Sequence, residues 1–89
     1  MSEKALQILA SADFHKGIVA GVPAGTIVAH KFGERAFADN NIKQLHDCGI
    51  VYSPSGPYLV CIMTRGASFE VLEDVIAGVS AILYKNLNP

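Results

Sequence analysis

The sequence is poor in charged side chains and contains no tryptophan. Charged residues make up 17% of the 89 residues, apolar residues make up 51%, and the net charge is −1. Soluble domains usually carry about 25% charged residues. Proteins that bind nucleic acid need a concentration of positive charge, and this chain has no basic block. We therefore expect no nucleic-acid partner.

Long hydrophobic runs are also missing. The two longest, Tyr58 to Met63 and Val75 to Leu83, are far shorter than the roughly 20 residues that a transmembrane helix needs. The first residues, Met1-Ser2-Glu3-Lys4, lack the apolar segment of a signal peptide. We expect no membrane partner, and the sequence by itself assigns no cellular compartment.

Cysteine is scarce: Cys48 and Cys61 are the only two, and they do not form a CxxC pair. If Ser53 to Gly56 form a four-residue hairpin loop, Tyr52 faces Pro57, and Cys48 faces Cys61 in the same register. A cross-strand disulfide is then one alternative, although its geometry is demanding. We expect two buried free thiols instead.

Side chains that could hold a metal or run acid–base chemistry lack a suitable spacing. The three histidines, His15, His30 and His46, show no zinc-ligand pattern. The acidic residues near position 70 lie where a helix is predicted to begin, so they favour the helix dipole rather than a catalytic pair. We therefore expect no metal and no other cofactor.

What the sequence does contain is an alternation of helical and extended patterns. Apolar spacing, β-branched clusters and turn residues predict a short helix over Glu3–Ser11, strands over Thr26–Phe32, His46–Tyr52 and Tyr58–Thr64, and a helix over Phe69–Leu87 capped by Ser68. The polar segment between the first two strands, Gly33 to Leu45, is predicted to be a surface loop. The pattern indicates an α+β fold in which residues 1–89 form a single domain with a three-stranded antiparallel meander.

The third predicted strand does not suit the position that the meander gives it. Tyr58–Thr64 is apolar at nearly every position, which is typical of a strand buried on both faces in the middle of a sheet. A meander of three strands places it at an edge. The last strand and the last helix are thus both predicted to have apolar surface that the other elements of the chain do not cover.

The segment Val28–Glu34 carries the candidate binding feature, predicted as a short strand that ends in a Lys-x-Gly turn. Alternation places Lys31 on one face and His30 on the other. We expect the Lys31 amine to emerge at the rim of a pocket, while Gly33 lets the backbone approach a ligand. Such an arrangement suits an anion, for example a small-molecule carboxylate. The alternative is an edge-strand lysine that guards against aggregation.

These elements together resemble the C-terminal segment of the penicillin-recognising serine hydrolases, the serine β-lactamases and D-Ala-D-Ala peptidases, and are most similar to the class A-like branch. The resemblance runs from about Ala5 to Leu87, and its most specific parts are V-P-A-G at 22–25 and A-H-K-F-G-E at 29–34. It implies a fragment of an α/β sandwich. Two further strands of the family's five-stranded sheet come from the N-terminal part of the complete fold.

The resemblance also implies a chemistry, which is acyl transfer to a serine. In the family a Ser-x-x-Lys supplies the nucleophile and an assisting lysine, and a K-T-G strand binds the substrate carboxylate. Lys31 and Gly33 correspond to the first and third positions of K-T-G, and Phe32 stands where a hydroxyl is usual. The amide of Glu34 corresponds to an oxyanion donor. The 89 residues contain no Ser-x-x-Lys, so we expect no catalytic residue in this chain.

Two functions follow as expectations. The first is the C-terminal part of a serine β-lactamase-like hydrolase that is inactive alone; such hydrolases are often extracytoplasmic. The second is a self-associating interaction module derived from that fold, without catalysis. The expected protein partner is a second copy of the chain or the missing N-terminal half of the same domain.

Overall fold

The computed structural model describes residues 4, 5, 8, 16–37, 39 and 41–89. After a 3-10 turn at Val19–Gly21, three strands and a helix follow: β1 (Ile27–Ala36), β2 (Lys43–Ser53), β3 (Gly56–Gly66) and α1 (Phe69–Leu87). The strands form one antiparallel sheet in the order β1-β2-β3. The α+β meander with its closing helix is therefore confirmed. The helix predicted over Glu3–Ser11 lies largely outside the described residues.

The β2–β3 hairpin has the register that the sequence predicts. Tyr52 pairs with Pro57, and Cys48 pairs with Cys61. The turn is tighter than expected, because Ser53 and Gly56 still pair and only two residues connect the strands. Gly56 has a φ of 122°, a backbone conformation that residues with a side chain rarely adopt.

The predicted loop from Gly33 to Leu45 is wrong, because β1 continues to Ala36 and β2 begins at Lys43. Its polar residues pair across the strands, and the N–H of Phe37 donates to the C=O of Ile42 at 2.9 Å just beyond them. The segment is polar because it is exposed. An edge strand tolerates polar side chains on its solvated face, so polarity alone did not distinguish this strand from a loop.

One face of the sheet, here called the inner face, packs against α1. The inner-face residues Val28, Leu45, Val51 and Val60 form the core together with Ile18, Leu72 and Ile76. Leu72, Ile76 and Ser80 recur every four residues, so they line the buried side of the helix. Ser68 is the N-cap of α1, as predicted, but its side chain makes no capping hydrogen bond.

The opposite side of the sheet, here called the outer face, is apolar and largely uncovered by the described residues. Leu59 is 78% exposed and Met63 is 71% exposed, and both lie on β3, the strand that reads as buried on both faces. In the described part of the chain β3 pairs only with β2. Its outer face and free edge are thus the surfaces for which the described residues supply little cover.

The cysteines are a second correction. Cys48 and Cys61 form a disulfide, and Cys61 is exposed on the outer face whereas Cys48 is only partly buried. Both are oxidised rather than free, and neither is in the core. The reason is their direct pairing across neighbouring strands, which brings the two side chains together on one face.

No helix in the described ranges is long and apolar enough to cross a membrane.

Candidate functional site

Lys31 lies on the outer face of β1, a strand that pairs only with β2 among the described residues. Its side chain is exposed, and its Nζ lies 5.0 Å from the centroid of the Phe32 ring. This distance is within the range of a cation–π contact. The ammonium group is thus held near the free edge of the sheet, and it remains available to an anion.

The structure shows Lys31 as an exposed side chain, and the pocket expected around its amine stays a prediction. A surface cavity does occur, but it is formed by Lys16 and the first turns of α1, including Glu73 and Asp74. Lys16 and Glu73 form an ion pair there at 3.3 Å, so this cavity is unrelated to the Lys-x-Gly segment.

Gly33 and Glu34 lie in the middle of β1 rather than in a turn, which corrects the predicted Lys-x-Gly turn. The N–H of Phe37 points to β2, and backbone groups alternate in direction along an antiparallel strand. The N–H of Lys31 and Gly33 therefore points to β2, whereas the N–H of Glu34 points to the free edge. Side-chain and backbone donors of this segment thus reach the same edge of the sheet.

Phe32, between these residues, points to the inner face and packs against the hydrophobic core. Its neighbour across the ladder is Asp47. The ring therefore fills space under the edge strand and carries no hydroxyl to the site. This gives a structural reason for an aromatic residue where the resembling family has a Thr or Ser.

Directly behind the site lies a buried polar pair that the sequence did not reveal. His30 is 2% exposed and Asp47 is fully buried, and His30 Nδ1 lies 3.0 Å from Asp47 Oδ1. The prediction that His30 and Lys31 lie on opposite faces of β1 is confirmed. The role of Asp47 was missed; the signal available was a carboxylate between Leu45 and Gly49 on the inward-facing positions of β2.

The second oxygen of this carboxylate is also satisfied. The N–H of Ile18 donates to Asp47 Oδ2 at 3.1 Å, and the C=O of Ile18 accepts a hydrogen bond from Ser80 Oγ at 2.9 Å. Gly21 follows close by, where an added Cβ would collide with backbone atoms of Ala77 and Ala81. The segment before β1, residues 16–26 and here called the connector, is thereby fixed to both β2 and α1.

The remaining histidines are His46 and His15. His46 lies on the outer face opposite Gly33, and His15 lies outside the described residues. Within the part of the chain that the structure describes, no three His, Cys, Asp or Glu side chains are grouped to hold a metal ion.

A sequence profile of the beta-lactamase enzyme family matches residues 1–87. No curated protein sequence is significantly similar to the chain. Among solved structures, the fold is similar to a class A beta-lactamase representative from Bacteroides cellulosilyticus DSM 14838, with 26% identity and a TM-score of 0.81 over 94% of this chain and 32% of that one.

Two further structures give the same result. A beta-lactamase from Chitinophaga pinensis DSM 2588 has 25% identity and a TM-score of 0.79, over 99% of this chain and 36% of its own. A mutant of PBP-A, solved as an acyl-enzyme complex with penicillin G, has 25% identity and a TM-score of 0.71, over 94% of this chain and 30% of its own. The chain thus spans about a third of the length of these neighbours.

Proposed function

Because the chain belongs to the beta-lactamase enzyme family, we propose that it is the C-terminal part of a serine β-lactamase-like hydrolase. The observation that carries the proposal is the arrangement at the edge of β1. There the Lys31 ammonium and the Glu34 N–H reach the same side of the sheet, on either side of Gly33. In this proposal the 89 residues supply the anion-binding strand, and another segment supplies the nucleophile.

Each group of the segment has a distinct role in acyl transfer. The Lys31 ammonium pairs with the carboxylate of a β-lactam or of a D-Ala-D-Ala-type substrate. When a serine oxygen attacks the substrate carbonyl, negative charge develops on the carbonyl oxygen, and the Glu34 N–H is one of the donors that stabilise it. Gly33 between them has no side chain to obstruct the substrate. The Phe32 side chain has no hydroxyl, so it does not supply the carboxylate hydrogen bond that a Thr or Ser gives in the resembling family.

The absence of a Ser-x-x-Lys from the sequence gives the first test. Incubation of the chain with penicillin G should leave its intact mass unchanged, because no activated serine is present to form the acyl bond. A stoichiometric adduct on one serine would show that the chain carries its own nucleophile and would overturn this division of roles.

The second test addresses the anion site directly. Titration of the isotopically labelled chain with penicillin G should shift the NMR signal of the Lys31 ε-methylene group. The Lys31→Met variant should lose binding. Lys85→Met, which removes an exposed lysine near the end of α1, serves as the matched control and should bind like the unmodified chain. Equal binding by all three proteins would refute the role of Lys31.

The uncovered surfaces favour a second candidate function, that of a self-associating module. The exposed apolar side chains of the outer face include Ile27, Tyr52, Leu59 and Met63. Exposed strand edges and apolar patches of this kind promote association. We propose that a second copy covers this surface when the N-terminal half of the domain is absent, giving a homodimer through β3.

Sedimentation velocity at micromolar concentration tests this candidate. The chain should sediment as a dimer, and Leu59→Lys should convert it to a monomer because it places a charge on the outer face of β3. Val71→Lys, at an exposed apolar position of α1, is the matched control and should remain dimeric. A monomeric unmodified chain would rule the module out.

A further inference from the structure

We propose that Asp47, acting through His30, is a positioning residue for Lys31. This inference rests on the anion-binding role proposed above for Lys31. Neither Asp47 nor His30 reaches the outer face, so neither touches the anion. Their proposed effect is to fix the register of β1, so that Lys31 faces outwards and stays at one position along the edge of the sheet.

The argument begins with the burial of the pair. A carboxylate taken fully out of water is costly unless its oxygens are hydrogen-bonded. Asp47 meets this condition with two partners, the His30 ring on one oxygen and the Ile18 N–H on the other. A small core thus holds a charged side chain at its centre, on β2, where it links β1 to the connector.

The geometry of the pair is specific to one register. His30 is opposite Gly49 in the ladder, and Asp47 is opposite Phe32, so the imidazole reaches its partner diagonally. Gly49 makes this approach close: a Cβ added there would lie 2.6 Å from the Cβ of His30 and 2.7 Å from the C=O oxygen of Ala29. The backbones of β1 and β2 therefore lie close together next to Lys31.

A shift of β1 would break this contact and move Lys31 as well. A slip by one residue would turn His30 to the outer face and Lys31 into the core, since side chains alternate along a strand. A slip by two residues would move His30 about 7 Å away from Asp47. The His30–Asp47 hydrogen bond therefore disfavours alternative registers of β1 next to Lys31, whose side chain must face outwards.

The position of β1 makes such a device useful. The strand is at the edge of the sheet, and among the strands α1 contacts β2 and β3 more than β1. Val28 and Phe32 hold β1 by apolar contact, but apolar contact does not select a register as sharply as a buried hydrogen bond does. The His30–Asp47 bond supplies that selectivity one residue from the ammonium group.

The test compares variants that all weaken the buried network. Asp47→Asn removes the charge from the bond with His30, and His30→Asn removes the imidazole while it leaves the Asp47–Ile18 bond. Ser80→Ala is the matched control, because it removes the other hydrogen bond of Ile18 without touching β1. All three should lower the melting temperature.

Only the first two variants should change Lys31. In NMR spectra the Lys31 amide and ε-methylene signals should shift and hydrogen exchange of β1 amides should accelerate. Penicillin G should bind about tenfold more weakly when only about one molecule in ten holds Lys31 in the binding position. Ser80→Ala should leave these three quantities unchanged. If Asp47→Asn does not fold, His30→Asn decides the question alone.

The inference would be overturned in two ways. Unchanged Lys31 signals and β1 exchange in Asp47→Asn and His30→Asn would show that the pair does not position the strand. Equal changes in Ser80→Ala would show that general loss of stability is the cause. If the unmodified chain does not bind penicillin G, the proposed function fails, yet the Lys31 signals and the exchange rates still decide whether the pair positions β1.

Discussion

Replacing Gly49 by alanine provides a strong test of the packing between β1 and β2. The added Cβ would approach the Cβ of His30 to 2.6 Å, the C=O oxygen of Ala29 to 2.7 Å and the Cα of His30 to 2.9 Å. Two of these atoms belong to the backbone of the neighbouring strand, so no change of rotamer relieves the contact. The two strands must separate locally by several tenths of an ångström.

Overpacking of this kind costs about 1–3 kcal/mol, and we expect Gly49→Ala to lie at the upper end, near 3 kcal/mol, because the backbone has to move. For a domain of this size each kcal/mol lowers the melting temperature by about 4–8 °C, so the variant should melt at least 12 °C below the unmodified chain, by rough estimate. Thermal unfolding followed by circular dichroism, with urea denaturation for the free energy, measures both quantities.

Gly33→Ala is the matched control for this experiment. Gly33 lies in the same strand pair, but nothing lies within 4 Å of the position that its Cβ would occupy. We expect its stability to be unchanged or slightly raised, because glycine in a strand is itself unfavourable. If Gly49→Ala is as stable as Gly33→Ala, the inference that β1 and β2 approach closely beside Lys31 is wrong.

Three further predictions follow from other contacts. The Cys48–Cys61 disulfide closes a loop with a sequence separation of 13, so its reduction should lower the free energy of unfolding by about 3 kcal/mol. Thermal melts with and without dithiothreitol test this. The melting temperature of a Cys48→Ala/Cys61→Ala double variant should not respond to the reductant. Burial, and secondarily the neighbouring Tyr84, raise the pKa of Tyr58. Because the unfolded chain then releases this proton first, the free energy of unfolding should fall as pH rises from about 10 toward the raised pKa of the folded state. If a Tyr58→Phe variant shows the same dependence of the free energy of unfolding on pH, Tyr58 is not the cause. Phe32→Thr should lose about 2 kcal/mol of stability, because the ring is removed from the hydrophobic core; urea denaturation that shows no loss would contradict the packing of Phe32.

Local patterns in the sequence were sufficient for the elements whose signals are short in range. The bounds of α1 follow from apolar spacing, a capping position and charges that suit the helix dipole. The β2–β3 register follows from the turn residues at Ser53–Gly56, which place Cys48 opposite Cys61. The placement of Lys31 and His30 on opposite faces of β1 follows from simple alternation.

The errors arise where a distant partner decides the outcome. The residues after Gly33 form a strand because β2 pairs with them, although their own composition favours a loop. The two cysteines form a disulfide on an exposed face of the sheet. This face is exposed because α1 packs on the other one, and the residues near the cysteines do not indicate that choice. The Asp47–His30–Ile18 network joins three separate segments, and no local spacing indicates it.

The hydrogen bonds of Ile18 have a consequence for the order in which the chain folds. Its N–H and C=O bind side chains that are 29 and 62 residues further along the sequence. The β2–β3 hairpin and α1 consist of near-neighbour contacts, and these form early because little chain entropy opposes them. Ile18 can complete both of its bonds only after Asp47 and Ser80 have been brought together. We therefore expect the connector to dock in the last step of folding. A mutation that truncates the buried Ile18 side chain should then accelerate unfolding and leave the folding rate nearly unchanged, as measured by stopped-flow kinetics.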